Sequence, residues 1–416
     1  MRGPRANRNG AATQISFGAF SPMQKLLRLF LLLAAPVGNA FPREIGEVAV
    51  IVDNNTIAVR VSANTPELNT LALQAFAAHG RYRVLANGYA YDIKFALVAA
   101  TQVRVDITKG SAGTPVSSEI VTGSSARNAL LRAADVAVER TNGFGLKGFF
   151  TAKLAFIGER TGKKEVYVSD LFFGEVRQIT HDNAPALMPR WAPDGRRIIY
   201  TSFFKSGFPD IFLLDLASGR HDTFVSLKGT NQGARFSPDG QRVAMVLSGE
   251  GTPEIYLSNA QGRQVTRKTR SDAVKSSPCF SPDGSRLIFS SEPGPQLYVM
   301  PVGGGAPQRV TTGISSYCAE PDWSRGNPNK VVFTIRVGGK YQIAVLDLAK
   351  RRSEQVSKAP FDGIEPCWLA DGRHVVYTAR DKATSVICLL DTESGRSTRI
   401  TPLSFGPAFQ ANVWAP

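Results

Sequence analysis

Two carboxylates hold the same place in a repeated frame. Glu320 stands three residues before Trp323, and Glu365 three residues before Trp368. Two acids from adjacent copies, gathered near one opening, could bind a metal ion or a basic group on a partner. Met188, Gly233, Ser277 and Ala411 fill the corresponding place elsewhere, so the acidity belongs to two neighbouring copies. The competing role for such a pair is bonding to nearby backbone or water. No other reactive constellation is present: there is no Gly-x-Ser-x-Gly elbow, phosphate loop or His-Glu-x-x-His. His79, His181, His221 and His374 lie far apart, and His181 and His374 fall at different points of the repeat. A shared central metal cage is therefore not indicated. Cys279, Cys318, Cys367 and Cys388 lack metal-ligand spacing and are expected to be buried free thiols, with Cys318 the candidate for a bridge. Gly143-x-Gly145-x-x-Gly148 spells a dinucleotide fingerprint, but it follows a helix and precedes a strand, the reverse of the phosphate-binding order. It is expected to serve as a hinge. No catalytic residue and no cofactor are assigned.

The frame that positions these groups is a repeat. "FSPDG" occurs at Phe236 and again at Phe280, with "WAPDG" at Trp191 and degraded copies at Trp323 and Trp368. The opening aromatics are 45, 44, 43 and 45 residues apart, and a further step of 46 reaches Trp414. Each period reads as an aromatic-bearing strand, a Pro-Asp-Gly turn, two apolar strands and a short last strand. Four antiparallel strands per 44-residue period is the size of one β-propeller blade. Residues 153–180 supply three strands and the stretch around Trp414 a fourth, so pairing of the chain ends closes a six-bladed ring. The recurrent aromatics are expected to pack between blades.

Residues 41–148 break the period and read as a small α/β domain, with residues 149–416 forming the propeller. A hairpin is expected about Asn54-Asn55. A helix should start at Thr65 as cap, with Leu68, Leu71, Ala72, Ala75 and Phe76 as its apolar stripe and Gly80 as its stop. A second helix should run from about Ser125 to Thr141.

Residues 1–40 have the order of a secretory signal: five basic residues and no acid, an apolar run from Leu29 to Val37, then small residues to Ala40. Met23 would make a compact start for it. The apolar run is too short to span a bilayer, and no cysteine marks a lipid-anchored cleavage point. Formal charge falls from +15 to +10 without this segment. The remaining basic residues are scattered, which disfavours nucleic acid and suits an acidic protein surface or the cell envelope.

The signal, the small domain and the six "SPDG" blades together resemble the TolB family of the Tol–Pal envelope system. "GGAPQRVTTG" from Gly304, "EPDWS" from Glu320 and the join "ERTNGFGLKGFFTAKLAFI" from Glu139 are similar to segments of that family. The resemblance covers almost all of residues 41–416. It implies a monomeric, non-enzymatic periplasmic scaffold that binds the lipoprotein Pal through loops at one mouth of the channel. It also implies that the mature N-terminal strand engages TolA. Here Glu47, Val48, Val50 and Asp53 match that strand's pattern, with a shortened polar stretch after it. The Pal surface would comprise Asn183, Asn231, Asp272, Tyr317, Glu320, Asp362 and Glu365. On that reading, lysine at both Glu320 and Glu365 should weaken partner capture and leave stability nearly unchanged. Two other readings stand beside it: a propeller that binds another envelope protein or a glycan, and an enzyme. A channel-centred lyase would need a His or carboxylate cluster in the channel, and a peptidase a further α/β domain.

Overall fold

The computed structural model of the chain describes residues 56–142 and 146–416. The secretory segment, the strand Glu47–Asp53, the turn Asn54-Asn55 and the glycines Gly143 and Gly145 lie outside the described residues.

The first part is a five-stranded sheet with two helices. The strands are β1 (Ile57–Ala63), β2 (Tyr82–Val84), β3 (Tyr91–Ala99), β4 (Gln102–Lys109) and β5 (Thr114–Thr122), in the spatial order β2-β1-β3-β4-β5. Helix α1 (Pro66–Ala78) starts where expected: the Thr65 hydroxyl accepts from the Leu68 N–H, and Pro66 occupies the first turn. Its buried stripe is the one read from the sequence: Leu68, Leu71, Ala72, Ala75 and Phe76. Helix α2 (Ala126–Asn142) buries Ala129, Leu130, Ala133, Ala134, Ala137 and Val138.

The expected hairpin about Asn54-Asn55 has its turn and first arm outside the described residues. Strand β1, its expected second arm, is an interior strand paired in parallel with β2 on one side and β3 on the other. Ile57–Val59 pair with β2 and Val59–Ala63 with β3. Alternation in the sequence reports a two-faced strand and says nothing of which strands flank it.

The propeller has six four-stranded blades, and the closing one pairs Ala408–Trp414 with Lys153–Gly158. We number them by their inner strands: Ala186–Trp191, Asn231–Phe236, Lys275–Phe280, Cys318–Trp323, Asp362–Trp368 and Ala408–Trp414 for blades 1 to 6. Trp191, Phe236, Phe280, Trp323 and Trp368 are all buried. The Pro-Asp-Gly turns work as the residue types require. Oδ1 of Asp194, Asp239 and Asp283, and of Asp371 in the degraded Ala-Asp-Gly copy, each accepts the N–H two residues on, at 2.9–3.1 Å. The glycine that follows has positive φ, as Gly195 does at 65°.

Every inner strand carries a β-bulge, and its first residue is left-handed: Met188, Gly233, Ser277, Glu320, Glu365 and Gln410, with φ between 52° and 64°. This corrects the register of blade 6. Gln410, not Ala411, is the counterpart of Glu320 and Glu365, so Val413 takes the aromatic's place and Trp414 lies one residue beyond it. Trp414 instead packs on Trp191, ring centroids 6.1 Å apart, and its indole N–H donates to the Pro193 carbonyl at 3.0 Å. A Cβ on Gly195 would sit 2.2 Å from that indole. Gly195→Ala should therefore lower unfolding free energy by about 2–4 kcal/mol, combining the left-handed penalty with overpacking. Urea titration of the two proteins measures it.

Candidate functional site

Strand direction sorts the loops to two ends of the channel. Inner strands run toward the Pro-Asp-Gly turns, so those turns share one end, the turn end. Loops between blades, and between the second and third strands of each blade, share the other, the loop end.

The small domain packs on the turn end, against blades 5 and 6. Arg127 on α2 forms a two-bonded pair with Asp170, at 2.9 and 3.1 Å. Asp135 accepts the N–H groups of Phe150 and Thr151, both at 3.1 Å, and fastens the linker. Arg396 donates to the Ala77 carbonyl at the end of α1, at 2.9 Å. Beneath that helix end lie His79 and His374, with ring centroids 4.9 Å apart, both fully buried. His374 Nε2 meets the His79 carbonyl oxygen at 2.6 Å, and its Nδ1 meets Asp371. A carbonyl only accepts, and so does an ionised carboxylate, so both ring nitrogens carry protons and His374 is an imidazolium. Burial opposes that charge, but Asp371 outweighs it and raises the His374 pKa. Burial and the neighbouring His374 push His79 well below its usual value, so it stays neutral. A cation under a helix C-terminus is favoured by the helix dipole. Sequence reasoning left these two histidines unconnected because they are 295 residues apart and in different domains.

Within the channel, Glu320 and Glu365 do come from adjacent blades, and both are half-buried. Each is already engaged. Glu320 Oε2 accepts the Thr334 hydroxyl at 2.7 Å and the Glu365 N–H at 2.8 Å. Glu365 accepts the Thr378 hydroxyl at 2.9 Å and the Gln410 amide at 3.0 Å, and Gln410 Oε1 accepts the Met188 N–H at 2.8 Å. The chain of bonds laces blades 4, 5, 6 and 1 through the bulges. Burial and the charge of Glu365 raise the Glu320 pKa. No group of three or more His, Cys, Asp or Glu residues that could hold a metal is found among the described residues. The expectation that lysine at both positions would spare stability is thereby corrected, since it would cut this lacing.

Two residues beyond each bulge start stands a second ring: Arg190, Arg235, Cys279, Asp322, Cys367 and Asn412. Several of these accept an N–H from the next blade. Asn412 Oδ1 accepts from Trp191 at 2.8 Å, Cys279 Sγ from Trp323 at 3.3 Å, and Asp322 Oδ2 from Trp368 at 2.8 Å. Asp322 Oδ1 also takes the Arg235 guanidinium at 2.7 Å. All four cysteines are buried and free, as expected.

The loop-end residues separate by exposure. Asn183 and Asp272 are exposed, and Tyr317 and Asp362 are half-buried. Tyr317 packs on Tyr341 at 5.1 Å, and Asp362 accepts the Tyr341 N–H at 3.0 Å. Asn231 is wrongly assigned as a contact residue: it is fully buried, with its side chain bonded to both backbone groups of Leu227 and its own N–H to the Pro209 carbonyl. The sequence reading missed three exposed apolar side chains on these loops: Phe208 at 65%, Leu227 at 51% and Phe204 at 41% exposed. Phe204 and Phe208 had a signal, the phenylalanine-rich loop stretch "SFFKSGFP" from Ser202.

The chain thus joins a closed six-bladed propeller to an α/β domain packed at its turn end against blades 5 and 6. Residues 142–416 match the profile of the TolB beta propeller domain, and the chain belongs to the TolB family. A TolB homolog of Chlorobium chlorochromatii is 34% identical over 147 residues, which is 35% of this chain and 33% of that protein. The Tol-Pal system protein TolB of Bordetella pertussis is 29% identical over 164 residues, 39% of this chain and 37% of that protein. These matches span little more than a third of the relatives' length. The crystal structure of TolB from Acinetobacter baumannii superposes with a TM-score of 0.77 at 22% identity, over 86% of this chain and 97% of that one. That likeness establishes the fold. No helix among the described residues is long and apolar enough to cross a membrane.

Proposed function

We propose that the protein is a non-enzymatic, monomeric periplasmic adaptor of the Tol–Pal system. It binds a Pal-type peptidoglycan-associated lipoprotein at the loop end of the channel and so supports outer-membrane integrity and division. The observation that carries the reading is the asymmetry of the propeller. The small domain occupies the turn end, while the loop end presents unlike loops with exposed Phe208, Leu227, Asn183 and Asp272. Apolar side chains rimmed by polar ones suit protein recognition. The strand bearing Glu47, Val48, Val50 and Asp53 would serve a TolA-type inner-membrane protein, and residues 1–40 would direct export and be removed.

The test is binding of a purified Pal-type lipoprotein domain to the mature chain. Phe208→Asp with Leu227→Asp should weaken binding at least tenfold while leaving the thermal midpoint nearly unchanged, because both side chains are exposed. Arg196→Glu, at the turn end, should leave binding intact. Failure of the wild-type chain to bind any Pal-type protein would remove the Tol–Pal assignment. Equal binding by the double variant would move the contact elsewhere.

A further inference from the structure

On the turn side of the bulges the channel holds a cavity of about 110 Å³, walled by Arg190, Arg235, Asp322 and Asn412 and reaching Pro238 and Arg325. A water needs roughly 10–15 Å³ by the same measure, so the space accommodates a small polyatomic ion with several waters. Its charges do not balance. Asp322 is the only acid among the lining residues, and its carboxylate is committed to Arg235 at 2.7 Å and to the Trp368 N–H at 2.8 Å. Arg190, on the neighbouring blade, lines the same cavity, and its guanidinium makes no hydrogen bond or ion pair with any described residue. Burial lowers the pKa of that guanidinium, and the positive charge of Arg235 lowers it further. Even so lowered, a guanidinium remains protonated at neutral pH. The side chain is half-buried, and a charge with five donors and no protein acceptor invites an anion from solution.

We propose that this cavity is a binding site for a small oxyanion, a carboxylate or a phosphate, seated on the Arg190 guanidinium and neutralising the Arg190–Arg235 pair. The planar fork of Arg190 offers two parallel N–H groups to two oxygens of such a group, the geometry that arginine uses for both chemistries. Arg325 adds positive charge among the lining residues. The site lies on the opposite side of the bulges from the loop end, so it is independent of the partner reading above.

The experiment is calorimetric titration of the mature chain with sodium phosphate, and separately with sodium acetate, at constant ionic strength. Saturable binding of either anion is expected, and the tighter one identifies the chemistry. Arg190→Met should weaken that binding at least tenfold, and without anion it should melt no lower than the wild type, since it deletes a half-buried charge that no described acid pairs with. Arg190→Lys, which keeps the charge and loses the fork, should fall between the two. Should Arg190→Met not fold, wild-type crystals soaked in selenate decide the matter: an anomalous peak beside Arg190 sustains the site. Absence of saturable binding to the wild type, or equal binding by a folded Arg190→Met, overturns it.

Discussion

Asp322→Ala should lower the unfolding free energy by about 3–5 kcal/mol, the range for removing one partner of a buried ion pair. The carboxylate does two jobs across the channel. It neutralises Arg235 from blade 2, and it accepts the Trp368 N–H of blade 5. Alanine leaves a guanidinium and a backbone donor without partners at once, beside Arg190, which has none among the described residues. Urea unfolding should show a lower midpoint with an unchanged slope. Pairing Asp322→Leu with Arg235→Met should restore most of the loss, because deleting both charges removes the uncompensated one. A loss below about 1 kcal/mol would mean that channel water solvates Arg235 as well as Asp322 does.

Arg373→Met should cost a similar amount, about 3–5 kcal/mol, for the same physical reason at the domain junction. Arg373 grips Asp391 through two bonds of 2.8 and 2.6 Å, and both side chains are only 3% exposed. Asp391 also lies under Gly80, so its placement sets how the end of α1 seats on blade 5. Burial alone would raise the Asp391 carboxyl, but the Arg373 bonds and the positive charges of His374 and Arg373 bring it down to about 2. The sign follows from that depression. Asp391 contributes stability above its ordinary value of 3.8, and the contribution is lost as pH falls through about 2. Methionine leaves the carboxyl buried without its guanidinium, so the deficit should be largest near neutrality and narrow between pH 5 and pH 2. Denaturant unfolding of both proteins across that range measures it. A deficit that stays constant would show that Asp391 ionisation is not coupled to Arg373.

What the sequence disclosed, and what it withheld, divides along the range of the interactions. Trp191, Phe236, Phe280, Trp323 and Trp368 mark the blades because a packing aromatic and a Pro-Asp-Gly turn are local necessities. Helix α1 was readable to its cap for the same reason. The bulges were not. Of the six residues with positive φ at the bulge, only Gly233 is a glycine, and Met188, Glu320, Glu365 and Gln410 donate their N–H groups to side chains of the preceding blade. That hidden register also put Trp414 one residue out of frame. The second channel ring had a visible trace, since its members precede the blade aromatics. The balance of charge between Arg190, Arg235 and Asp322 emerges only when blades 1, 2 and 4 meet. Asn231 misled because a polar residue at a repeat boundary can face a partner or tie its own loop, and burial decides which.

The closing blade joins Ala408 to Gly158, a separation of 250 residues, whereas every other blade is built from strands adjacent in sequence. The chain entropy lost in bringing such distant segments together is about 5 kcal/mol, against about 1 kcal/mol for a four-residue turn. The five contiguous blades can therefore form from local hairpins, while closure must wait until they have drawn the two segments close. Closure is then the late step of folding. In reverse, it is the seam whose parting returns the most freedom to the chain. Slow hydrogen exchange in blades 2 to 4, with earlier exchange along Ala408–Trp414, would be the imprint of a ring that opens where it last shut.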